Sequence, residues 1–411
     1  MKISPTIERL DAAAADSNGP ARTTRLLLRL LRAAQPVSRA DLARRIGVNR
    51  STVTDIFKPL IKAGLVREDA FQTAGESVFQ GRPPVGLSFG DEADFFVGVN
   101  LGVRHTQVGL TTLSGEILAE EEFETPPEAD RALELARARI EQLSADVSER
   151  KLRTIGVSVP GPTSDERRRL LYAPHLGWQD VDVAGALGSL TAGADVPVIV
   201  ENDSAAAAMY ESRLKLRGAS GDSLSNFILV RSGTGIGVGL VLNNEVYRGA
   251  GRAQGLAGEF GHMTIMAGGK PCVCGNRGCW EKYASAGAAA SLYMGDRQIL
   301  GGREAPRFIE IVERAEAGEM RAQRSLERLG EYLGIGIANV IMGIGVPHVI
   351  VSGRLVYGWR YIEKSLNEAV GKSMVGRLPG WTVECGEPKG SALGGALEVA
   401  VDEFLMKGFI G

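Results

Sequence analysis

The stretch "GEFGHMTIMAGGKPCVCGNRGCWEKYAS", residues 258–285, holds three of the four cysteines of the chain within eight residues. Cys272, Cys274 and Cys279 supply three thiols, and His262, ten residues before Cys272, is the only histidine nearby in sequence. Three cysteines and a histidine are typical of a closed, structural metal site that leaves no open position for catalysis. A redox centre needs a Cys-x-x-Cys pair or a resolving partner, so the Cys-x-Cys spacing favours a metal-binding knuckle over reactive thiols.

The composition predicts a soluble cytoplasmic protein of two or three domains. The chain has 411 residues, 44% of them hydrophobic, and no apolar run long enough to span a bilayer. Residues 1–20 lack the basic-then-apolar plan of a signal peptide. Because the cytosol keeps thiols reduced, four cysteines there do not form a disulfide framework. The isolated Cys385 is expected to be a small buried hydrophobe.

The charge is unevenly distributed along the chain. Residues 20–82 contain 12 Lys+Arg against 5 Asp+Glu, whereas residues 83–411 contain 33 against 41. A small basic module thus precedes a large acidic one, an asymmetry that suggests nucleic acid as a partner of the basic module.

The basic module carries the pattern of a helix-turn-helix. A leucine stripe over residues 23–34 predicts a first helix; Ser38 is placed to cap a second helix that ends at Gly47; and a short turn leads to a third. Small polar and basic groups open the third helix, where they could reach base edges in a major groove. The alternative is a plain three-helix bundle. The side chains expected at the DNA are Ser38, Asn49, Arg50, Ser51, Thr52, Thr54, Asp55 and Lys58.

Residues 65–89 follow as a predicted β-hairpin, the wing of a winged helix-turn-helix. Within it, "QGRPP" (80–84) is held extended by its prolines. This segment either inserts Arg82 into a minor groove or serves as a stiff linker between domains.

The rest of the chain repeats one α/β plan. Residues 95–124 predict a strand, a glycine loop, a strand, a Ser-Gly turn and a strand. Residues 227–249 repeat that order about 130 residues later, with an Asn-Asn turn. Two such loops facing one cleft could cradle phosphates with their backbone N–H groups.

These features resemble a known family. The duplicated hairpins resemble the actin-like sugar kinase fold, and residues 258–285 closely resemble the zinc-binding signature of the ROK family (repressors, open reading frames and kinases). A winged helix-turn-helix joined to such a body resembles the repressor branch, which includes xylose- and N-acetylglucosamine-responsive regulators. The resemblance covers essentially the whole chain, and it implies structural zinc at His262, Cys272, Cys274 and Cys279.

The resemblance also implies a sugar site. The Glu-x-Gly-His segment faces the sugar in this family, and "IVENDSAAA" (199–207) matches its Asn-Asp pair. His175, in "APHLGW" (173–178), stands where the family usually has Asn, which leaves the identity of the sugar open. The implied sugar-binding residues are Asn202, Asp203, Glu259, His262, Glu281 and His175.

The phosphate loops are only partly kept. The family's first loop usually has Asp-x-Gly-Gly-Thr, whereas this chain has Asn100, Gly102 and Arg104 at the first, third and fifth positions, with Val103 replacing the second glycine. The second loop, with Gly233, Thr234 and Gly235, matches. In a kinase, Asp203 would be the general base. We therefore expect no catalytic residues and no ATP requirement, although Arg104 could still bind an anion and residual kinase activity stays open.

The sequence thus predicts a sugar-responsive transcriptional repressor, the alternative being an ATP-dependent sugar kinase with an attached DNA-binding domain. Its partners would be double-stranded operator DNA, a sugar effector and itself, as a homodimer or tetramer, with no membrane. An activator or a ligand-insensitive DNA-binding protein is a third possibility. The expected units are a flexible N-terminus (1–20), a winged helix-turn-helix (21–90), a small lobe (91–203) joined by a C-terminal helix (393–411), and a large lobe (204–392) with the knuckle and the oligomerisation surface.

Overall fold

The structure is a computed structural model of the chain. It describes residues 20–70, 85–90, 93–188, 196–218, 225–250, 255–295, 305–388 and 390–410. Among these residues, no helix combines the length and apolar character needed to cross a bilayer.

The N-terminal module, here called the head, is a winged helix-turn-helix. Ser38 caps the second helix, since its Oγ accepts a hydrogen bond from the Asp41 N–H at 3.1 Å, and Gly47 ends that helix in the left-handed region at φ 70°. Both expectations from the sequence are confirmed. Its helices are α1 (Pro20–Ala34), α2 (Arg39–Ile46) and α3 (Arg50–Lys62). Its antiparallel sheet has the order β1 (Val37–Ser38), β3 (Val85–Phe89), β2 (Val66–Ala70).

A five-stranded sheet forms the centre of the first lobe. Its order is β10 (Val198–Asn202), β7 (Lys151–Val159), β4 (Asp94–Leu101), β5 (His105–Thr111), β6 (Ile117–Glu124). The first three strands are parallel, and the last two continue the sheet as antiparallel hairpins. The predicted order of strand, Gly102 loop, strand, Ser-Gly turn and strand is confirmed.

The second lobe repeats this sheet. Its order is β15 (Thr382–Cys385), β14 (His348–Gly353), β11 (Phe227–Ser232), β12 (Ile236–Leu242), β13 (Glu245–Val246). Again three parallel strands are followed by two antiparallel ones. The duplication predicted from the two hairpins is therefore present in the strand order and direction of both sheets.

Helices cover the sheets and join the lobes. A long apolar face of α10 (Met320–Ile344) packs against α11 (Trp359–Lys372) in the second lobe. In the first lobe the C-terminal helix α12 (Ser391–Ile410) lies directly on β4 and β7, where Gly98 and Gly156 leave no room for a Cβ beside its backbone. The remaining elements are α4 (Ala129–Ala145), β8 (Leu170–Ala173), β9 (Trp178–Val181), α5 (Val183–Gly188), α6 (Asp203–Gly218), α7 (Glu281–Ala284), α8 (Ala289–Met294), α9 (Phe308–Glu316), α10 (Met320–Ile344), α11 (Trp359–Lys372) and α12 (Ser391–Ile410).

The core of the head is continuous with that of the body. Phe57 and Leu42 of the head belong to the same buried apolar cluster as Phe96 of β4 and Val401 and Leu405 of α12. The head is therefore packed on the body and not merely tethered to it.

The expectation that Cys385 is buried is wrong. Cys385 is the last residue of β15, which lies at the edge of its sheet, and its side chain is exposed. An edge strand has a neighbour on one side only, so its end is open to solvent.

Candidate functional site

Four predicted metal ligands lie together in the second lobe. The ligand atoms of His262, Cys272, Cys274 and Cys279 are all within 4.8 Å of one another. The Cys272 Sγ is 3.5 Å from the His262 Nδ1, and the Cys274 and Cys279 sulfurs are 3.7 Å apart. A tight turn closed by the Gly275 N–H and the Cys272 carbonyl brings the thiols together.

The donor set suits a soft or borderline divalent cation. Burial raises the pKa of Cys272, with the Glu281 carboxylate adding to the shift, and burial likewise raises the pKa of Cys279. Two buried thiols are costly to ionise unless a cation neutralises the thiolates, and bound cations reverse such shifts. The cluster can therefore hold a metal ion.

The knuckle, defined as residues 262–280, is anchored to α10. The Trp280 ring is fully buried, and its Nε1 donates to the Tyr332 carbonyl at 2.9 Å. Gly336 provides the space for that ring, since a Cβ there would overlap the indole. The Trp280 N–H also donates to the Met263 carbonyl at 2.9 Å, which ties both ends of the knuckle together.

Glu281 connects the metal cluster to His175 of the first lobe. One carboxylate oxygen lies 3.0 Å from the Cys272 Sγ, and the other lies 3.4 Å from the His175 Nε2. The residue is only 4% exposed. Burial opposes its ionisation, but hydrogen bonds from His175 and Cys272 outweigh that effect and hold the pKa of Glu281 below its usual value.

Asn202 and Glu259 meet beside this pair. Asn202 ends β10, and its Oδ1 accepts from the Ser204 and Ala205 N–H groups, which caps α6. Its Nδ2 lies 3.4 Å from the Glu259 carboxylate, and that carboxylate lies 3.9 Å from the His262 Nε2. Burial, followed by the charges of Asp203 and Glu281, raises the pKa of Glu259 to about 7.

The structure thus brings the six predicted sugar residues into one polar cluster on both lobes. They are His175, Asn202, Asp203, Glu259, His262 and Glu281. Carboxylates, an amide and imidazoles converging at one place can accept from and donate to a ring of hydroxyl groups.

Arg231 is a member of the site that sequence reasoning missed. Its Nη1 donates to the Asp203 Oδ2 at 2.8 Å. Arg231 lies on β11 just before the glycine loop, in the otherwise apolar run "FILVRSG". A charged residue near the end of such a strand was the signal that could have found it.

The two glycine loops lie on opposite lobes. In the first, Asn100 is buried, and its Oδ1 accepts from the Ser158 Oγ at 2.9 Å, whereas Arg104 is exposed. Gly102 approaches the His105 carbonyl too closely for a Cβ. In the second, Gly235 adjoins the Glu281 carboxylate and the His175 Nε2, so the loop that holds Gly233 and Thr234 reaches the polar cluster.

Most of the residues predicted to contact DNA lie on the solvent-exposed face of α3. Asn49, Arg50, Ser51, Thr54, Asp55 and Lys58 are exposed, while Thr52 is half-buried. Val53, Phe57 and Leu60 fill the opposite, buried face. The Ser38 hydroxyl is engaged in its helix cap. Arg82 lies outside the described residues.

Ion pairs join the head to the body. The Arg29 Nε of α1 lies 2.7 Å from the Asp402 Oδ1 of α12, and the Arg29 Nη1 lies 3.0 Å from Glu245 of β13. Arg32 pairs with Glu398, which also binds Arg213 of α6 at 2.8 Å.

A second group of charges links the end of β10 to α12. Glu201, the residue before Asn202, is buried and binds Arg248 at 2.6 Å and Arg167 at 3.0 Å. Arg167 also contacts Glu403 of α12 at 3.3 Å. Burial opposes the charge of Glu201, but the two guanidinium groups hold its pKa below the usual range.

Comparison with known proteins decides the family. The sequence profile described as the ROK family matches residues 96–401.

The chain belongs to the ROK family.

A second profile, described as winged helix-turn-helix DNA-binding, matches residues 21–67, ahead of the ROK body. The predicted fold class, a winged head followed by a ROK body, is confirmed.

Relatives of this ROK chain include regulators and kinases. The xylose repressor of Bacillus subtilis is 32% identical over 86% of this chain and 88% of its own length. A solved ROK family transcriptional regulator, described as a homologue of the Escherichia coli Mlc protein, superimposes with a TM-score of 0.74 at 25% identity, covering 95% of this chain and 97% of that one. A ROK family glucokinase from Streptomyces griseus, solved with glucose and AMPPNP, gives 0.61 at 26% identity, covering 74% and 99%.

Proposed function

We propose that the chain is a sugar-responsive, DNA-binding transcriptional repressor. One observation carries the proposal: the winged head shares a continuous core and ion pairs with the body, and the body holds the polar cluster. The xylose repressor and the N-acetylglucosamine repressor, both similar over more than four fifths of the chain, support this assignment.

The sugar would bind at the polar cluster between the lobes. Asn202 and Asp203 belong to the junction of β10 and α6, and Glu259, His262 and Glu281 belong to the opposite lobe. A pyranose held by both groups would draw the lobes together. His175 pairs with Glu281 and would therefore lie close enough to contact the same ligand.

We propose zinc as the ion of the Cys₃His cluster, because zinc prefers tetrahedral nitrogen and sulfur ligands. Bound there, it would supply structure and no catalysis. Its ligand His262 and its neighbour Glu281 are both sugar-site residues, so the ion would fix the loop that reads the sugar.

The first turn of α3 would read base edges in a major groove, with Arg50, Ser51 and Thr54 on the exposed side. Arg82 is proposed for the adjacent minor groove. Two heads would be supplied by a homodimer or tetramer, since a palindromic operator needs two-fold symmetry.

Sugar binding would reach the head through α12. When the lobes close on a sugar at Asn202, the adjacent Glu201 would move with it. Glu201 pairs with Arg167, which in turn pairs with Glu403 of α12. The same helix carries Asp402 and Glu398, which pair with Arg29 and Arg32 of the head. The two sites would share a coupling free energy of about 1–3 kcal/mol.

The second candidate function is a sugar kinase, favoured by the retained Asp203 and the intact loop at residues 233–235. The ion pair with Arg231 opposes it, because the guanidinium occupies the Asp203 carboxylate oxygen that would otherwise accept the proton of a sugar hydroxyl. A coupled assay with ATP and a sugar panel should give no turnover at ordinary kinase rates of about 1–100 per second. Turnover in that range, abolished by Asp203→Ala, would establish the kinase.

A thermal-shift screen against pentoses, hexoses and amino sugars tests the repressor's sugar site. A ligand that binds only the folded state at a hundred times its Kd stabilises by about 2.7 kcal/mol, which raises the melting temperature by several degrees. Asn202→Ala should abolish the rise and leave operator binding intact. If no sugar shifts the wild type, the sugar-responsive assignment fails.

A further inference from the structure

A cavity lies at the junction of the head and the body. Its volume is about 560 Å³, within the range of about 300–1,000 Å³ that is usual for small-molecule sites. Its walls come from α1, β2 and β3 of the head and from β5, the turn before β6, α6 and α12 of the body. Both units therefore form the cavity, and its shape depends on how the head sits on the body.

The cavity is separate from the metal cluster, the sugar cluster and the DNA-reading helix. Among the described residues that line it, none is a metal ligand, none belongs to the polar cluster and none lies on α3. A ligand bound there would compete neither with a sugar nor with base edges in a major groove. It would occupy a third site, in contact with the two units that carry the other sites.

Arginines dominate the charge of the cavity walls. Among the described residues that line it, the ionised side chains are four arginines and two glutamates, which are Arg32, Arg67, Arg213, Arg217, Glu116 and Glu398. Cations thus outnumber anions by two to one. A concave surface with an excess of one charge attracts ligands of the opposite charge, so the walls favour an anion.

Two of these arginines share one carboxylate. Arg32 and Arg213 both pair with Glu398, the second at 2.8 Å, so one negative charge serves two cations. The Arg213 Nη2 also donates to the Ser114 carbonyl at 2.9 Å, and its guanidinium lies against Gly115, where a Cβ would overlap it. The backbone of this turn therefore holds the Arg213 guanidinium in place.

Arg32 keeps a donor that the described residues do not use. Its Nε donates to the Leu113 carbonyl at 2.9 Å, and its Nη1 is engaged with Glu398. Its Nη2 is buried without a hydrogen-bond partner among the described residues, and the whole residue is only 4% exposed. Burial lowers the pKa of Arg32 against the charge of Glu398, and the positive charge of Arg213 adds to the effect. Excess positive charge and an unpaired donor both cost free energy, and a bound anion would lower that cost.

We propose that this cavity binds a small organic anion with two or more negative charges, either a dicarboxylate or an organic phosphate. Guanidinium groups match the oxygens of carboxylate and phosphate groups in pairs, which suits both sources. Because the ligand would contact the head and the body together, it would favour the arrangement of the two units described above. Its effect on DNA affinity rests on the proposed function; its binding does not.

Calorimetric titration of the full chain with succinate, glycerol phosphate, inorganic phosphate and uncharged glycerol tests the proposal. The cavity variant is Arg67→Gln/Arg217→Gln, because both side chains are exposed. This variant leaves the buried group of Arg32, Arg213 and Glu398 intact, so the fold should be retained.

The matched control is Arg131→Gln/Arg324→Gln, two exposed arginines on α4 and α10 that lie outside the cavity and carry the same change of charge. Arg131 pairs with the nearby Glu134 on the surface, as Arg67 does with Asp69, so the two variants lose similar local contacts.

We expect at least one of the three anions to bind the wild type and the control, and the cavity variant to bind it about tenfold or more weakly. Glycerol should not bind. Tighter binding of succinate identifies a carboxylate ligand, and tighter binding of glycerol phosphate or inorganic phosphate identifies a phosphate. If no anion binds, or if the control loses as much affinity as the cavity variant, the cavity site is overturned.

The effect on the head is measured with operator DNA. The anion that binds should change the operator Kd of the wild type by about fivefold or more and leave that of the cavity variant unchanged. An unchanged Kd in the wild type would overturn the regulatory role.

The cavity site and the repressor assignment fail separately. Anion binding that depends on Arg67 and Arg217, with no sugar effect on DNA affinity, leaves the cavity site standing and removes the sugar response. A sugar effect on DNA affinity that persists in the cavity variant, with no anion bound by the wild type, does the opposite.

Discussion

Glu281 is the residue at which the metal cluster and the sugar cluster meet, because its carboxylate contacts both Cys272 and His175. Any loss of order in the knuckle should therefore reach the sugar site. This makes the metal testable through ligand binding as well as through stability.

Cys274→Ser should lower the zinc content of the purified protein and reduce the sugar-dependent rise in melting temperature. A half-buried hydroxyl cannot replace a thiolate ligand, so the knuckle loses one of four anchors. Elemental analysis and thermal unfolding measure both effects. Cys385→Ser is the control, since that exposed thiol lies outside the cluster. Equal zinc content in the two variants would contradict the assigned ligands.

Glu211 on α6 provides a pH test of the packing between the lobes. Burial raises its pKa to about 7, with the charges of Glu387 and Glu384 adding to the shift and Lys215 opposing it. The folded protein then holds a proton that the unfolded chain has released above its ordinary pKa. Stability should therefore fall as pH rises from about 4.5 to about 7.

Glu211→Gln should remove the part of that loss that comes from Glu211 and stabilise the protein at pH 8 by about 3 kcal/mol, with little effect at pH 4.5. Urea unfolding at both pH values measures the difference. The exposed Glu368→Gln on α11 should have no such pH-dependent effect. The stability of the variant should still fall by the amount that comes from Glu259, whose pKa is also raised to about 7. If it falls as steeply as that of the wild type, Glu211 is not responsible.

At the residue scale, the sequence could identify the metal cluster because its three cysteines are close along the chain. The pairing of Asp203 with Arg231 is different, since the two are 28 residues apart and meet only when β11 lies beside α6. Cys385 was assigned by residue type alone, and its position on an edge strand depends on the order of the sheet.

At the scale of single elements, α3 has one face for the core and one for solvent. Val53, Phe57 and Leu60 are buried, which holds the helix in place while its first turn stays open. The pattern was evident in the sequence because the 3.6-residue period separates the two faces.

Arg50→Ala should weaken operator binding about tenfold or more and leave the melting temperature unchanged, because the side chain is exposed and a charged contact to DNA is lost. Fluorescence anisotropy with labelled DNA measures the affinity. Arg324→Ala, which removes an exposed arginine of α10, is the matched control. Equal affinity of both variants would exclude the first turn of α3 from the DNA interface.

The repeated sheets were also predictable as elements, since each hairpin is local in sequence and carries its own turn residues. The close packing of α12 on β4 and β7 was not, because it depends on Gly98 and Gly156 meeting a helix more than 200 residues away.

At the scale of the whole molecule, the head and body share a core and a set of charges. Arg29 with Asp402 and Arg32 with Glu398 connect α1 to α12, the helix that packs on β4 and β7. Sequence alone separated the two units by charge and could not show how firmly they are joined.

Arg29→Met should destabilise the protein by about 3 kcal/mol, since it leaves Asp402 with its charge largely buried and its closest partner gone. Arg29→Met/Asp402→Leu should recover most of that stability but still reduce the effect of sugar on DNA affinity. Chemical unfolding and anisotropy measure the two properties. Breaking the exposed pair Arg131–Glu134 should cost less than about 1 kcal/mol. Full sugar response in the double variant would exclude this route of coupling.

The central claim is that sugar bound in the body changes the affinity of the head for DNA. The most direct measurement is the Kd for operator DNA, determined by anisotropy in the absence and presence of each sugar that raises the melting temperature. We predict that at least one sugar changes this Kd by about 5- to 150-fold, the range of a coupling of 1–3 kcal/mol, and that Asn202→Ala abolishes the change. An unchanged Kd with every bound sugar would contradict the account.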